Sequence, residues 1–179
     1  MVDNASEQFL SFHVTGEEYA VSILQVKEII EYTPVTRMPS SPASIRGVVN
    51  LRGQVVPVID LAVRFALAET ELTKRTCIVM VEVNWQGERI VVGLLVESVS
   101  QVIDLARTSI QPPPSFGTRA RADFLQGMAE AAGKFVLILE IDRLLATIDL
   151  AEVNEAAAET ALVPAVEPVP VAPAEAATP

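Results

Sequence analysis

The stretch Gly47-Val48-Val49-Asn50-Leu51-Arg52-Gly53-Gln54-Val55-Val56-Pro57-Val58-Ile59-Asp60 decides the fold. It reads as two apolar strands joined by a polar turn. Asn50, Arg52 and Gly53 supply the turn, because glycine tolerates positive φ and an asparagine side chain can bond back to nearby backbone. Pro57 cannot donate to a ladder, which places it at an edge or a bulge of its sheet. Arg52 is the odd residue. A guanidinium between two strongly apolar strands must point outward, since burying it unpaired is too costly. A rigid turn that displays one arginine is either a solubilising charge or a recognition site, and the hairpin alone leaves both open.

Working outward, the same grammar recurs. Residues 9 to 14 alternate, with Leu10, Phe12 and Val14 on one face. Thr15-Gly16-Glu17 turns the chain, and Tyr19, Val21 and Ile23 mark a second strand. From Leu24 to Tyr32 the period is ambiguous: a strand puts Val26, Glu28 and Ile30 on one face, a helix puts Leu24 and Glu28 there. Pro34 and Pro39 make 33 to 41 an extended loop. Ser41 as cap, Pro42 at the first position and Gly47 at the exit predict a short helix before the central hairpin. Asp60 is expected to cap another over Leu61 to Leu67. Strands follow over Cys77 to Val83 and Ile90 to Val96, about a turn at 84–87. Pro112-Pro113-Pro114 must be loop. Asp123 to Gln126 is expected as a short helix, Lys134 to Ile141 as a strand, and Asp142 as the cap of a last helix.

The chain repeats itself. Gly16-Glu-Glu-Tyr-Ala-Val-Ser-Ile-Leu lies over Gly87-Glu-Arg-Ile-Val-Val-Gly-Leu-Leu, and Gly47 and Gly53 lie over Gly127 and Gly133. Each copy ends in Ile-Asp, at Ile59-Asp60 and Ile141-Asp142, before a short apolar helix. Short strands punctuated by Gly and Pro favour small barrels. Two small barrels bury little surface separately and are expected to pack into one unit.

Half of the 179 residues are hydrophobic, enough for a core, but only 5% are aromatic, so aliphatic side chains must build it. No apolar run reaches the eighteen or so residues of a membrane span. The polar, acidic start, Met1 to Glu7, does not look like a signal peptide, and the expected location is the cytoplasm. The net charge of −10 is uneven: from Asp149 on there are six acids and no Lys or Arg, which leaves 17 acids against 13 bases before it. Residues 149–179, rich in Ala, Pro and Glu, read as a disordered acidic tail, and 1–7 as a flexible N-terminus. Basic runs interleaved with aromatics are absent, which argues against nucleic acid and against anionic membrane surfaces.

Catalytic constellations are also missing from the sequence. His13 is the one histidine and Cys77 the one cysteine, 64 residues apart, with no metal-ligand spacing around either. Neither a GxGxxG nor a Walker loop is present, so no nucleotide or other cofactor has a candidate site. No catalytic or metal residue is therefore assigned, and no small-molecule substrate is expected.

Gly-Val-x-Asn-Leu-Arg-Gly-x-Val-Val-Pro-Val-Ile-Asp-Leu (47 to 61), with Glu17-Glu18-Tyr19, Ile23 to Ile29, Val35-Thr36-Arg37, Pro42 to Gly47, Ile110 to Pro114 and Phe135 to Leu139, resembles the CheW family of bacterial chemotaxis coupling proteins. Several separated blocks agree in order and spacing over roughly residues 7 to 148. The resemblance implies a mainly β fold: two small SH3-like five-stranded β-barrels packed side by side with short helices, within a domain over 8–148. In chain order the barrels would fall at roughly 9–67 and 76–147, with exchange of strands between them left open. It implies an adaptor, not an enzyme, that couples the cytoplasmic tip of methyl-accepting chemoreceptors to the histidine kinase CheA through the kinase's own CheW-like domain. Such a protein is recruited to membrane-associated receptor arrays without inserting in the membrane. By the same resemblance Val26, Glu28, Arg52, Val99 and Val102 face the receptor, Phe116 and Gln111 face the kinase, and Gly47, Asn50 and Gly53 form the signature turn. Gln111 stands where many relatives have a basic residue. A coupling protein for pilus motility or surface sensing is the alternative within the class, and a small-barrel enzyme the alternative outside it.

The tail carries no apolar periodicity and no bases. Cutting the chain after Leu150 is expected to leave the melting temperature and kinase binding unchanged, and calorimetry beside a pull-down checks both.

Overall fold

The computed structural model describes residues 5–39, 41–113, 123–146 and 148. Its local geometry is set by four two-residue turns, Thr15-Gly16, Arg52-Gly53, Gln86-Gly87 and Ala132-Gly133, in which both residues have positive φ. This primed-turn geometry matches the right-handed twist of paired strands and closes tight hairpins. The elements are β1 (Ser6–Val14), β2 (Glu17–Ser22), β3 (Val26–Glu31), β4 (Ile45–Leu51), β5 (Gln54–Asp60), α1 (Leu61–Arg64), β6 (Cys77–Trp85), β7 (Glu88–Val96), β8 (Ser98–Ala106), β9 (Leu125–Ala131), β10 (Lys134–Leu139) and α2 (Ile141–Ala146).

Among the described residues ten strands make two five-stranded sheets, β8-β1-β2-β10-β9 and β3-β6-β7-β5-β4. The chain is mainly β, as the spacing of short strands predicts. Sheet membership does not follow chain order. The hairpin β1–β2 joins β8 through an antiparallel pairing with β1, and β10 and β9 through a parallel pairing of β2 with β10. The hairpin β6–β7 joins β3 through an antiparallel pairing with β6, and β5 and β4 through a parallel pairing of β7 with β5. The two halves of the repeat have thus traded their first hairpins, and each sheet has the same internal order.

Three apolar cores follow. Phe9, Ala20, Leu105, Ala129, Val136 and Ile138 fill the first barrel, and Val49, Val56, Val58, Ile78, Met80 and Leu95 fill the second. The largest core lies between them. Leu10, Phe12, Val14, Tyr19 and Val21 of the first sheet meet Val79, Val81, Val83, Val92, Leu94 and Val96 of the second, with residues of α1 and α2 at its margin. The alternation in β1 that sets Leu10, Phe12 and Val14 on one face is the one the sequence carries, and that face looks onto the other barrel.

Each sheet is closed by one bridge between its end strands. Thr36, in the loop after β3, exchanges backbone hydrogen bonds with Val48 of β4 at 2.9 and 2.8 Å. Gln111, after β8, does the same with Met128 of β9 at 2.8 and 2.9 Å. These are equivalent positions in the two halves. Beside each bridge sits a glycine whose hydrogen faces the opposing carbonyl. A Cβ at Gly47 would collide with the Thr36 oxygen, and one at Gly127 would stand 2.6 Å from the Gln111 oxygen.

Several local expectations need correction. Residues 41–47 are not a helix: Ile45 N donates to Pro42 O across a turn, Ser41 Oγ donates to Met38 O, and β4 begins at Ile45. Residues 123–126 likewise form a turn that enters β9 at Leu125. In both places a carbonyl is taken by the far end of the following hairpin, Ser44 O accepting from the Asp60 amide and Phe124 O from the Glu140 amide, which outweighs local cap signals. The ambiguous stretch after Leu24 is a strand from Val26 to Glu31, with alternating exposure. β5 is an inner strand, but its pairing with β7 begins only at Val58, so Pro57 sits where that side is still unpaired. Asp60 caps α1 through the Ala62 amide at 3.0 Å, and α1 ends at Arg64, short of Leu67. Asp142 is not a cap. α2 starts at Ile141, and Asp142 Oδ1 accepts from the Asn84 amide. The counterpart of Asp60 is therefore Glu140, which keeps the offset of 80 set by Gly47/Gly127 and Gly53/Gly133.

Asp60 is fully buried, and beyond the Ala62 amide it accepts from Arg46 Nη1 (2.8 Å), the Thr70 amide (3.0 Å) and Thr70 Oγ1 (2.6 Å). It ties β4, β5, α1 and the connector into one corner. Such a carboxylate is tolerated inside because its lone pairs are satisfied.

Because a methyl group at Gly47 or Gly127 meets backbone rather than a movable side chain, Gly47→Ala and Gly127→Ala are each expected to cost about 2 kcal/mol. For a chain of this size that lowers the melting temperature by about 4–8 °C. Thermal unfolding of the two variants measures it; an unchanged midpoint would mean that the closing bridges do not limit stability.

Candidate functional site

The signature turn is built as the sequence suggests. Asn50 Oδ1 accepts from the Gly53 amide at 2.9 Å, locking the backbone under Arg52. Arg52 takes the first, left-handed turn position (φ 52°), and its side chain is 80% exposed. Its Nη2 donates to Glu28 Oε2 at 3.1 Å. Glu28 lies on β3, at the far end of the sheet from β4, so the ion pair crosses the seam that Thr36 and Val48 close. The sheet alone would hold these charges apart; barrel closure joins them.

The valines divide. Val26 of β3 and Val99 of β8 are both half-buried against the core shared by the barrels. Cys77 links their strands: it pairs with Glu31 at the end of β3, and the Val99 backbone hydrogen-bonds its thiol. Val26 and Val99 thus lie against the core shared by the barrels, whereas Glu28 pairs with Met80, a residue of the second barrel's own core, with Arg52 over it. Val102 is 48% exposed on β8, an end strand of the first sheet, where it pairs with Leu10. No contact joins it to Arg52 or Glu28 among those described. Gln111 is exposed and forms the closing bridge of the first barrel through its backbone, which leaves its side chain free of that role. Phe116 lies outside the described residues, as does the acidic tail from Asp149.

Sequence reasoning passed over other apolar surface on the same elements. Leu24, 91% exposed, sits on the single helical turn that carries the chain from β2 in one sheet to β3 in the other. Ile29 is exposed next to Glu28, and Phe135 is exposed on β10. Ile29 was legible as the residue out of phase with Val26, Glu28 and Ile30. Leu24 was not, because its exposure follows from where the chain crosses between sheets.

Burial pushes the Cys77 thiol up, and Glu31 adds to it against the Val99 hydrogen bond, so little thiolate exists at neutral pH. The hydrogen bond from Lys27, at 2.8 Å, holds the Glu82 carboxyl below its ordinary value, with Arg89 alongside. His13 is half-buried with Nδ1 3.5 Å from Ser98 Oγ. Among the described residues no group of three or more His, Cys, Asp or Glu is placed to hold a metal, and no helix is long and apolar enough to cross a membrane.

Comparison with known proteins agrees with this geometry. The model of the CheW-like domain matches residues 8–149. The chain belongs to the CheW-like domain family. The chemotaxis protein CheW of Klebsiella aerogenes is 35% identical over 155 residues, 87% of this chain and 91% of the relative. CheW of Rhizobium meliloti is 34% identical over 78% of this chain and 87% of its own. Among solved structures, the scaffolding protein TtCheW from Thermoanaerobacter tengcongensis superposes with a TM-score of 0.70 at 32% identity, covering 79% of this chain and 88% of that one. In this chain the turn from Asn50 to Gly53 presents the Arg52 side chain.

An exposed ion pair contributes about 0.2–1 kcal/mol. Alanine carries the same left-handed backbone cost as arginine at this turn. Arg52→Ala is therefore expected to lower the melting temperature by no more than about 4 °C, read by thermal unfolding. A larger loss would make Arg52 an internal clamp.

Proposed function

We propose that this chain, a chemotaxis coupling adaptor of the CheW type, holds the cytoplasmic tip of a methyl-accepting chemoreceptor and the histidine kinase CheA at the same time. Recruitment to a receptor array follows from those two contacts. The observation that carries the reading is the Glu28–Arg52 pair, exposed across the barrel seam, with the half-buried Val26 two residues from Glu28 on β3 and the exposed Ile29 next to it. Two charges beside apolar side chains suit the tip of a helical hairpin, whose apolar residues meet Val26 and Ile29 while its polar groups meet the charges. Val102 extends the apolar surface onto the edge of the first sheet. Gln111, and Phe116 beyond the described residues, belong to the kinase-facing side.

The work done is linkage, with no turnover. A rigid body that binds two partners ties their equilibria together, so a shift in receptor conformation changes the kinase by the coupling free energy between the two sites. The paired cores make the two barrels one body on which such coupling can act.

Titration of the protein with a receptor cytoplasmic fragment and with CheA tests this. Arg52→Ala is expected to weaken receptor binding by about tenfold or more, the effect of about 1.4 kcal/mol, and Glu28→Ala to do likewise. Their double variant is expected to lose less than the sum, because the two share one contact. Full binding by Arg52→Ala would return that residue to a solubilising turn charge.

A further inference from the structure

The two halves of the chain keep an offset of 80 from Gly47/Gly127 through Gly53/Gly133 to the helices, so Arg64 of α1 corresponds to Leu144 of α2. In the folded chain these counterparts touch. Arg64 Nε and Nη2 both donate to the carbonyl oxygen of Leu144, at 3.2 and 3.1 Å. A position that meets its own counterpart lies on the axis relating the halves, by the geometry that makes a twofold interface self-complementary. At that place one side chain can hold both halves at once. It also satisfies a carbonyl in the last turn of α2, where intrahelical donors run out.

The neighbours strengthen the grip. The Arg64 guanidinium lies over the Phe124 ring, 4.4 Å from its centroid. Phe65 stacks on Tyr19 of β2 at 5.1 Å and lies 6.4 Å from Phe124. α1 leaves the second sheet through β5, yet it is held by β2, by Phe124 at the entry to β9 and by α2 after β10, all parts of the first. Burial lowers the Arg64 pKa, and a guanidinium stays charged nonetheless. Apolar packing between the barrels is non-directional. The planar guanidinium fork adds a fixed direction to it.

We propose that Arg64 is the positioning residue that fixes the angle between the two barrels, and with it the coupling between receptor and kinase. The geometric part stands on the axis contact; the consequence for coupling rests on the adaptor reading.

The test uses the full chain with spin labels at Glu88→Cys of β7 and Glu130→Cys of β9, one in each sheet, and Cys77→Ala to remove the native thiol. In Arg64→Met, which keeps the packing stem, and in Phe124→Leu, which removes the ring under the guanidinium, the interspin distance distribution should broaden at least twofold. Arg64→Lys should narrow it again in part. In unlabelled protein the same variants should bind receptor fragment or kinase alone within about twofold of wild type, while the enhancement of one by the other falls about tenfold. Unchanged distance distributions in folded Arg64→Met and Phe124→Leu would overturn the positioning role. Broadened distributions with undiminished coupling would overturn its functional part. If wild type binds neither partner, the adaptor reading falls, and the distances still decide the geometric part.

Discussion

The structure depends on two hairpins that are apolar on both faces. In β1–β2, Phe9 and Ala20 fill one barrel while Leu10, Phe12, Val14, Tyr19 and Val21 face the other. In β6–β7, Ile78, Met80 and Leu95 point inward and Val79, Val81, Val83, Val92, Leu94 and Val96 point across. Fully burying one aliphatic side chain is worth about 1.5–3 kcal/mol. Neither hairpin can leave its second face in water, and neither barrel is large enough to cover that face alone. The barrels therefore exist as a pair. Because each takes its central hairpin from the other half of the chain, the pair cannot be divided at any one point in the sequence.

The same constraint gives the surface its functional character. With the central strands committed to the shared core, the end strands β3, β4, β8 and β9 carry what faces solvent. Their closure, through Thr36–Val48 and Gln111–Met128, brings distant side chains together. Glu28 and Arg52 meet only because the sheet curls until its ends touch. The glycines at the bridges serve closure, while the turn under Arg52 serves display, and the two jobs sit within seven residues of each other in one hairpin. This stretch thus carries both a packing requirement and a presented charge.

An adaptor needs stiffness between its binding surfaces more than it needs chemistry at either. Here stiffness has an apolar source in the shared core and a directional one in Arg64 at the axis between the halves. Asp60 fixes the corner from which α1 leaves, with Arg46 and Thr70 satisfying its buried carboxylate. Among the buried polar side chains Ser11, Asp60, Thr70 and Thr76 each have hydrogen-bond partners, and Asp60 orients α1 without loosening the core.

The sequence by itself determined the strands, the tight turns, the repeat and the outward aim of Arg52, because these follow from short-range rules: two-residue alternation, positive φ at Gly, and the cost of burying an unpaired charge. It also carried the two-barrel architecture, through a resemblance spread along the chain. It misplaced helices at 41–47 and 123–126, where Ser41, Pro42 and Gly47 satisfy helix-end rules and a turn into a strand equally well; the choice was made by ladder partners in β5 and β10. It paired Asp60 with Asp142, although the fold equates Asp60 with Glu140. Alternation tells which residues must be buried and is silent about what buries them. The exchange of hairpins, the meeting of Glu28 with Arg52 and the contact of Arg64 with its counterpart were decided only when the second apolar face of each central hairpin found the other barrel.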